Sequence, residues 1–176
     1  VYAYLIHNFN SFIENPDIWK KMRALRENNR VKKIGFSLYY PEQLDWLLTK
    51  DVDFNIVQIP YSVIDQRFSK YFKELESREI ETQTRSIFLQ GLVFKNYDKL
   101  KKFDSLRGSL AKLNNLCLEY NIPISSLCIC FVLLNKHINR VILGVNSLGE
   151  LKSNLTYCDD LSKVEHVYGK LLKLHK

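Results

Sequence analysis

Five short apolar runs alternate with amphipathic stretches along this chain, and each run ends in polar residues. The runs span 2–6, 33–36, 55–59, 80–84 and 140–144. Strand alternating with helix predicts a parallel sheet, because parallel neighbours need a crossover that a helix normally supplies. In such folds, ligands bind at the carboxyl ends of the strands. The residues expected at those ends are therefore the first candidates for function: His7, Ser37, Gln58, Ser86 and Gly144.

The stretches between the runs carry helix signals. Apolar residues at helical spacing predict one helix opened by Asn15-Pro16-Asp17, a second starting at Pro41, and others over 64–77, 105–120, 124–135 and 161–174. A capping-box match over 147–150 predicts one more helix start. The polar, lysine-rich stretch 93–104 predicts a long loop.

Length and composition place the chain among single-domain globular proteins. It has 176 residues, of which 46% are hydrophobic and 26% are charged. No apolar run approaches the roughly 20 residues that span a bilayer, so we expect no membrane partner.

The four cysteines of the chain are too few and too oddly spaced for a secreted disulfide framework, which predicts a cytoplasmic protein. Since the chain opens on a strand and begins with Val1, we expect it to be the later part of a longer protein.

The net charge of +7 raises the question of an anionic partner such as nucleic acid. Acidic residues are interleaved with the lysines and arginines in most places, and no RNA-binding aromatic motif accompanies them. We therefore interpret the basic residues as a coat on helix surfaces and predict no nucleic-acid partner.

The pair Cys128 and Cys130 invites a metal interpretation. Residues two apart on a helix point about 200° away from each other, so they cannot share one ion. No histidine or acid cluster joins them, and we predict that they pack in the core without a metal.

Five separated segments resemble the second part of an aldo-keto reductase in order and spacing. They read LIHNF (5–9), GFSLYYPEQL (35–44), VQIPYSVIDQR (57–67), RSIFLQGL (85–92) and VILGVNSLGELKSN (141–154). The resemblance implies a TIM-type (β/α)8 barrel that reduces carbonyls with NADPH. This chain would supply strands four to eight, as a partial α/β barrel of five parallel strands with flanking helices. We accordingly expect residues 1–176 to form a single incomplete domain that lacks the N-terminal strands.

By the same resemblance, His7 is the active-site histidine that leaves the fourth barrel strand. A hydrogen-bond donor there orients a small-molecule carbonyl and stabilises the charge that develops on its oxygen. The family's other catalytic groups are an Asp, a Tyr and a Lys, and they come from earlier strands. We therefore expect the intact parent to be an oxidoreductase of aldehydes or ketones, and the 176-residue chain alone to be inactive.

At the nicotinamide end of the cofactor, Ser37 and Gln58 resemble the residues that hydrogen-bond the carboxamide. The family commonly places Asn after this Ser, and here the residue is Leu38. Arg85 stands where many relatives carry an aromatic ring that stacks on the nicotinamide. A planar guanidinium can stack in the same way.

At the other end of the cofactor, Ser86, Gln90 and Gly91 resemble the loop around the pyrophosphate. The resemblance also places Gly144 and Asn146 near the 2′-phosphate and ribose, and Asn154 near adenine, beside a helix start that favours anions. Glu150 replaces the Arg or Gln often found there. A carboxylate near a 2′-phosphate is unfavourable, so we expect NADP(H) as cofactor with NAD(H) as the alternative.

Two other interpretations stay open at this point. The chain could be a non-catalytic dinucleotide-binding or regulatory module on a reductase-like barrel. It could also be an unrelated α/β protein whose basic residues contact nucleic acid. A Tyr and a Lys upstream of residue 1 would favour the enzyme over the module, and dinucleotide affinity would exclude the unrelated protein.

Overall fold

The computed structural model describes residues 1–95 and 104–175. Five parallel strands form one sheet in chain order, which confirms the predicted topology. They are β1 (Ala3–Ile6), β2 (Lys33–Ser37), β3 (Ile56–Pro60), β4 (Glu81–Arg85) and β5 (Arg140–Val141). The register pairs Ile6 with Phe36 and Ser37 with Gln58. The carboxyl ends of β1, β2 and β3 therefore meet at the same edge.

Eight helices accompany these strands in the described part of the chain. They are α1 (Phe9–Glu14), α2 (Asp17–Glu27), α3 (Pro41–Thr49), α4 (Phe72–Ser77), α5 (Asp104–Tyr120), α6 (Ile124–Leu133), α7 (Leu148–Thr156) and α8 (Leu161–Leu171). Short 3-10 turns cover Ser69–Tyr71, Leu89–Phe94 and Tyr157–Asp160. The predicted loop 93–104 falls mostly on 96–103, which lie outside the described residues.

Helix α1 is an element that the sequence analysis did not predict. The Asn8 side chain accepts hydrogen bonds from the amides of Asn10 and Ser11, at 3.0 and 3.3 Å, and so caps the helix start. Phe12 is buried one turn later. An asparagine cap followed by apolar residues at helical spacing was the available signal.

The helix predicted over 64–77 begins later than expected. Ser62 and Asp65 close a turn in which the Asp65 amide donates to Ser62 Oγ at 3.0 Å and the Ser62 amide donates to the Asp65 carbonyl at 2.9 Å. Such local side-chain bonds compete with helix formation. Ile64 and Phe68 are nevertheless buried, as an apolar stripe predicts.

Strand β5 is also shorter than the predicted run 140–144. The strand ends at Val141, although the next amide, that of Ile142, still donates to the Thr84 carbonyl at 2.7 Å. Because β5 is the last strand in the sheet order, it pairs with a neighbouring strand, β4, on one side only within the described chain. Gly144 therefore lies in the loop after β5.

The chain divides into two compact units. The first consists of Val1–Pro60, Arg67–Gln83 and His137–Arg140, and the second consists of Tyr61–Gln66, Thr84–Lys136 and Val141–Lys176. A single incomplete domain over 1–176 stays a prediction. In the first unit an aromatic core lies between β2 and its helices, where the Phe36 ring stacks on Trp19 at 4.7 Å and meets Phe12 edge-on at 5.0 Å.

At the amino end of β4 in the first unit, the buried carboxylate of Glu81 is surrounded by more exposed partners, the Glu81 cluster. The Glu81 carboxylate accepts hydrogen bonds from Lys33 Nζ at 2.7 Å, from Arg140 Nε at 3.1 Å and from the Tyr2 hydroxyl. Burial by itself would raise the Glu81 pKa, but the hydrogen bonds from Lys33, Tyr2 and Gln83 outweigh it and lower the pKa to about 2. This carboxylate is therefore ionised across the physiological range.

Strands β2 and β3 approach each other closely at Gly35. A Cβ on this residue would lie 1.7 Å from the carbonyl oxygen of Ile56, the residue with which Gly35 is in register. No other residue type fits this separation without moving the strands apart.

The second unit is built around α6. Eight consecutive residues of this helix, from Ser125 to Val132, are buried. Phe131 stacks on Tyr61 at 5.5 Å, and the Tyr61 hydroxyl accepts a hydrogen bond from Asn135 Nδ2 at 3.1 Å. An all-round apolar surface is typical of a helix enclosed in a core.

Cys128 and Cys130 lie in this enclosed helix and are fully buried, as the packing interpretation predicts. Burial raises the pKa of Cys117 to about 11 and that of Cys130 to about 12. It also raises the pKa of Cys128 and of Cys158.

No helix of the described chain is long and apolar enough by itself to cross a bilayer. The stretches 105–120 and 124–133 meet that test only as a pair bent by 100°.

Candidate functional site

In the first unit, His7 follows the carboxyl end of β1, where the sequence analysis expected it. Its side chain is exposed, and its Nε2 atom lies 3.3 Å from the hydroxyl oxygen of Tyr39. The two rings meet edge-on, with centroids 5.8 Å apart. Tyr39 follows β2 and was not among the predicted site residues.

Ser37 and Gln58 lie side by side in the first unit. They are in register on β2 and β3, and Ser37 Oγ donates to Gln58 Oε1 at 3.4 Å. Ser37 is buried and Gln58 is partly exposed. Leu38, which replaces the family's asparagine, is fully buried, so its side chain belongs to the core. The pair can offer a hydroxyl and an amide to a polar ligand group.

The second unit contains a cavity of about 790 Å³. It is lined by all seven residues that the resemblance assigned to the pyrophosphate and adenosine parts of the cofactor: Ser86, Gln90, Gly91, Gly144, Asn146, Glu150 and Asn154. A volume of this size is within the range of ligand pockets. None of the described lining residues is a lysine or an arginine.

Arg85, the proposed stacking residue, precedes this lining at the end of β4. Its guanidinium Nη1 donates to Ser86 Oγ at 3.2 Å, and its backbone carbonyl accepts the Tyr61 amide at 3.2 Å. The side chain is partly buried. Within the second unit, Arg85 is thus tied to the first residue of the cavity wall.

The loop after β4 adopts an unusual backbone. Ser86, Leu89 and Gln90 have φ angles of 61°, 48° and 54°, and Gly91 has a φ of 81°. The left-handed region is costly for residues other than glycine, and such strain is concentrated at ligand-binding sites. A Cβ at Gly91 or Gly144 would meet no atom within 4 Å. The loop therefore leaves open space beside its backbone.

The start of α7 forms another part of the lining. The Glu150 amide donates to Ser147 Oγ at 3.1 Å, which is the first half of the predicted capping box. The second half differs, because Glu150 Oε2 accepts the amide of Asn146 at 2.7 Å. The Glu150 carboxylate thus accepts the amide of Asn146, the residue before the cap Ser147, and it places a negative charge in the cavity wall.

Further lining residues were missed by the sequence analysis. Ser153 and Tyr157 lie on α7 and just after it, three and seven residues beyond Glu150, and they share a face with Glu150 and Asn154. Helical spacing could have found both. Ser125, at the start of α6, also lines the cavity and had no signal in the sequence.

Over residues 1–95 and 104–175, no group of three or more His, Cys, Asp and Glu side chains is arranged to hold a metal ion.

Comparison with known proteins agrees with the fold. The sequence model of the Aldo/keto reductase family matches residues 2–173. The aldo-keto reductase AKR11C1 from Bacillus halodurans superposes with a TM-score of 0.75 in its apo form and 0.70 in its holo form. It is 19% identical, and the match covers 99% of this chain and 62% of that enzyme. A variant of Gox0644 in complex with NADPH has a TM-score of 0.64 at 19% identity, over 100% of this chain and 59% of that one.

Among curated proteins, the pyridoxal 4-dehydrogenase of Microbacterium luteolum is 22% identical over 147 residues. The match covers 79% of this chain and 43% of that enzyme. The chain therefore spans about three fifths of its structural relatives and less than half of this curated one. Because the family model matches nearly the whole sequence, the chain belongs to the aldo/keto reductase family.

Proposed function

We propose that the protein reduces an aldehyde or a ketone by hydride transfer, with NADP(H) as cofactor and NAD(H) as the alternative. The observation that carries this proposal is the cavity of the second unit, whose wall brings together seven residues assigned independently from the sequence. Those residues come from the loop after β4, the loop after β5 and α7. A shared cavity is what a common ligand requires.

The residues of this cavity suit a dinucleotide. The left-handed loop around Gln90 and Gly91 leaves room for a diphosphate beside its backbone. Asn154 offers an amide to adenine, and the nearby ring of Tyr157 offers an apolar face. Glu150 fits a ribose hydroxyl better than a 2′-phosphate, because a carboxylate accepts hydrogen bonds and repels anions. The bound cofactor would supply the hydride.

The residues of the first unit supply the groups for the reacting end. Ser37 and Gln58 would bind the carboxamide of the nicotinamide. Arg85, which belongs to the second unit, stays a prediction as the residue that stacks on the ring. His7 would orient the carbonyl. The names of two relatives support an oxidoreductase that uses NADP(H), since one is a pyridoxal 4-dehydrogenase and the other was solved in complex with NADPH. The proton-donating tyrosine of the family has no counterpart in residues 1–176, so we expect this segment alone to turn over little substrate.

Titration calorimetry of the full-length protein with NADPH and NADH tests the cofactor assignment, and carbonyl-dependent oxidation of NADPH tests the reaction. We expect Asn154→Ala to weaken dinucleotide binding by roughly fivefold, the loss of about one hydrogen bond. Lys152→Ala is the matched control, since Lys152 is exposed on the same helix and does not line the cavity.

A negative result in the binding measurement and one in the activity measurement have different meanings. A full-length protein that binds neither dinucleotide contradicts the cofactor site. A full-length protein that binds NADPH but does not oxidise it when any aldehyde or ketone is added is the non-catalytic module instead.

A further inference from the structure

The beginning of α6 forms a part of the cavity wall that the proposed function does not yet use. Ser125, the second residue of this helix, lines the same cavity as the seven residues assigned to the cofactor. Only 9% of Ser125 is exposed. Its hydroxyl makes no hydrogen bond to any described residue. A buried hydroxyl that faces a cavity without a partner can bond a group that enters the cavity.

The first amides of α6 are also available. The residue before the helix is Pro123, which provides no side-chain cap. Within the helix, the first amide to find an acceptor is that of Leu127, which donates to the Pro123 carbonyl at 3.0 Å. The amides of residues 124–126 therefore have no acceptor in the described chain. Such a helix start carries partial positive charge and favours an anion.

The neighbouring polar groups are already engaged. At the start of α7, Ser147 accepts the Glu150 amide at 3.1 Å, and the Glu150 carboxylate adds a negative charge there. In α6 itself, the Ser126 hydroxyl donates to Asp160 Oδ2 at 2.7 Å. Of the two helix starts in the cavity wall, the start of α6 is thus the one that can receive an anion.

The charge of the expected ligand requires donors of this kind. The diphosphate of a dinucleotide carries two negative charges, and the described lining contains no lysine or arginine to balance them. Hydroxyl and amide donors can bind it without a basic side chain, because hydrogen bonds to an ionised oxygen are about twice as strong as neutral ones. The loop at Gln90 and Gly91 belongs to the same cavity wall and leaves open space beside its backbone.

We propose that the N-terminus of α6 binds the diphosphate of the dinucleotide, with Ser125 Oγ donating to a phosphate oxygen. This inference rests on the proposed function, because it takes a dinucleotide as the ligand of the cavity. It adds a binding residue that lies on none of the segments assigned to the cofactor. The positive end of α6 faces the diphosphate, while Glu150 stays at the adenosine end.

The location is tested by ³¹P NMR of NADPH bound at saturation to the full-length protein. NADPH gives separate signals for its diphosphate and its 2′-phosphate. We expect Ser125→Ala to move the bound diphosphate signals and to leave the 2′-phosphate signal in place. Ser109→Ala is the matched control, since Ser109 is a buried serine of α5 that does not line the cavity. Diphosphate signals that are the same in Ser125→Ala and wild type overturn the proposal.

The contribution to affinity is tested by titration calorimetry with NADPH. We expect Ser125→Ala to weaken binding by about tenfold, the loss of one hydrogen bond to a charged group. Ser125→Asp should weaken it by about 10²-fold, because a carboxylate repels the diphosphate. An acidic residue at a helix start supports the helix, so this variant should keep the circular dichroism spectrum of wild type. A folded Ser125→Asp variant with wild-type NADPH affinity contradicts the proposal.

Failure of the proposed function gives a different result. A wild-type protein that binds neither NADPH nor NADH contradicts the dinucleotide site. Inorganic diphosphate then decides the inference about α6. A ³¹P signal of inorganic diphosphate that shifts with wild type and not with Ser125→Asp supports an anion site at the helix start. No shift with wild type overturns it.

Discussion

The carboxylate of Glu150 accepts the backbone amide of Asn146 at 2.7 Å, which holds a negative charge in the wall of the cavity of the second unit. This contact supports the start of α7. It also places a fixed anion among residues assigned to the adenosine end of the cofactor.

We expect Glu150→Arg to tighten NADPH relative to NADH by about tenfold or more, because attraction replaces repulsion and charge pairs near a surface reach a few kcal/mol. Glu150→Gln is the matched control, since it removes the charge and keeps a group that accepts the Asn146 amide. Its affinity ratio should lie between those of wild type and Glu150→Arg. Dissociation constants for both nucleotides are the measurement. An unchanged ratio in Glu150→Arg would place the 2′-phosphate elsewhere.

We expect His7→Gln to lower kcat by about 10²–10⁴-fold, the typical contribution of a positioned acid–base or donor group. NADPH affinity should stay near the wild-type value, because His7 belongs to the carbonyl end of the site. Steady-state kinetics together with nucleotide titration separate the two effects. His166→Gln, at an exposed position of α8, should leave both unchanged. A loss of NADPH affinity that accounts for the whole loss of activity would remove His7 from carbonyl binding.

The Glu81 cluster predicts a stability that depends on pH. The Glu81 pKa falls from 4.5 to about 2 in the folded protein, so the carboxylate favours folding above pH 4.5, and this contribution is lost as the pH falls towards 2. The shift corresponds to roughly 3 kcal/mol at neutral pH. We expect Glu81→Gln to lower the free energy of unfolding at pH 7 and to flatten its decline below pH 4.5, as measured by urea denaturation.

Glu119→Gln is the control for this measurement. Glu119 pairs with Lys170 on the surface at 2.8 Å, and exposed pairs contribute little to stability. Equal effects of the two substitutions would show that burial of the Glu81 carboxylate adds nothing to stability.

We expect Gly35→Ala to destabilise the protein by about 1–3 kcal/mol or more, since the added methyl group would overlap the Ile56 carbonyl oxygen. Gly169→Ala, in the interior of α8 with no atom within 4 Å of its Cβ position, should instead stabilise by roughly 0.5–1 kcal/mol. Thermal or urea unfolding of both variants measures these changes in the free energy of unfolding. A neutral Gly35→Ala would mean that β2 and β3 can separate at this point without cost.

The strand–helix pattern predicted the sheet well, even where the local signal was weak. Strand β4 reads Glu-Thr-Gln-Thr-Arg, yet Thr82 and Thr84 are almost fully buried. Its position between two helical stretches, rather than its hydropathy, made it recognisable. The missing prediction of α1 and the late start of α4 have a common physical origin. Asn8 caps α1, and Ser62 closes a turn where the predicted helix 64–77 was expected to begin, in both cases by hydrogen bonds that apolar periodicity does not report.

The candidate site, like the fold, was predictable from the sequence only in part. The resemblance to the aldo-keto reductase family assigned the seven cavity residues, because the family's motifs occur here in the same order and at the same spacing. The contact between Tyr39 and His7 was not predictable in that way, since it depends on the register of β1 against β2 and on the direction of both rings. The Glu150 bond to Asn146 instead of Ser147 likewise depends on the backbone path before α7.

The four thiols of the second unit, two buried and two partly exposed, have a practical consequence for labelling. Only the thiolate reacts readily with electrophiles, and burial keeps Cys117 and Cys130 protonated far above neutral pH, with Cys128 and Cys158 shifted in the same direction. A cysteine introduced at an exposed position, as in Lys20→Cys or Lys152→Cys, would have an ordinary acidity and would react first. Maleimide dyes or spin probes can therefore be attached at chosen surface positions while all four native cysteines stay in the protein.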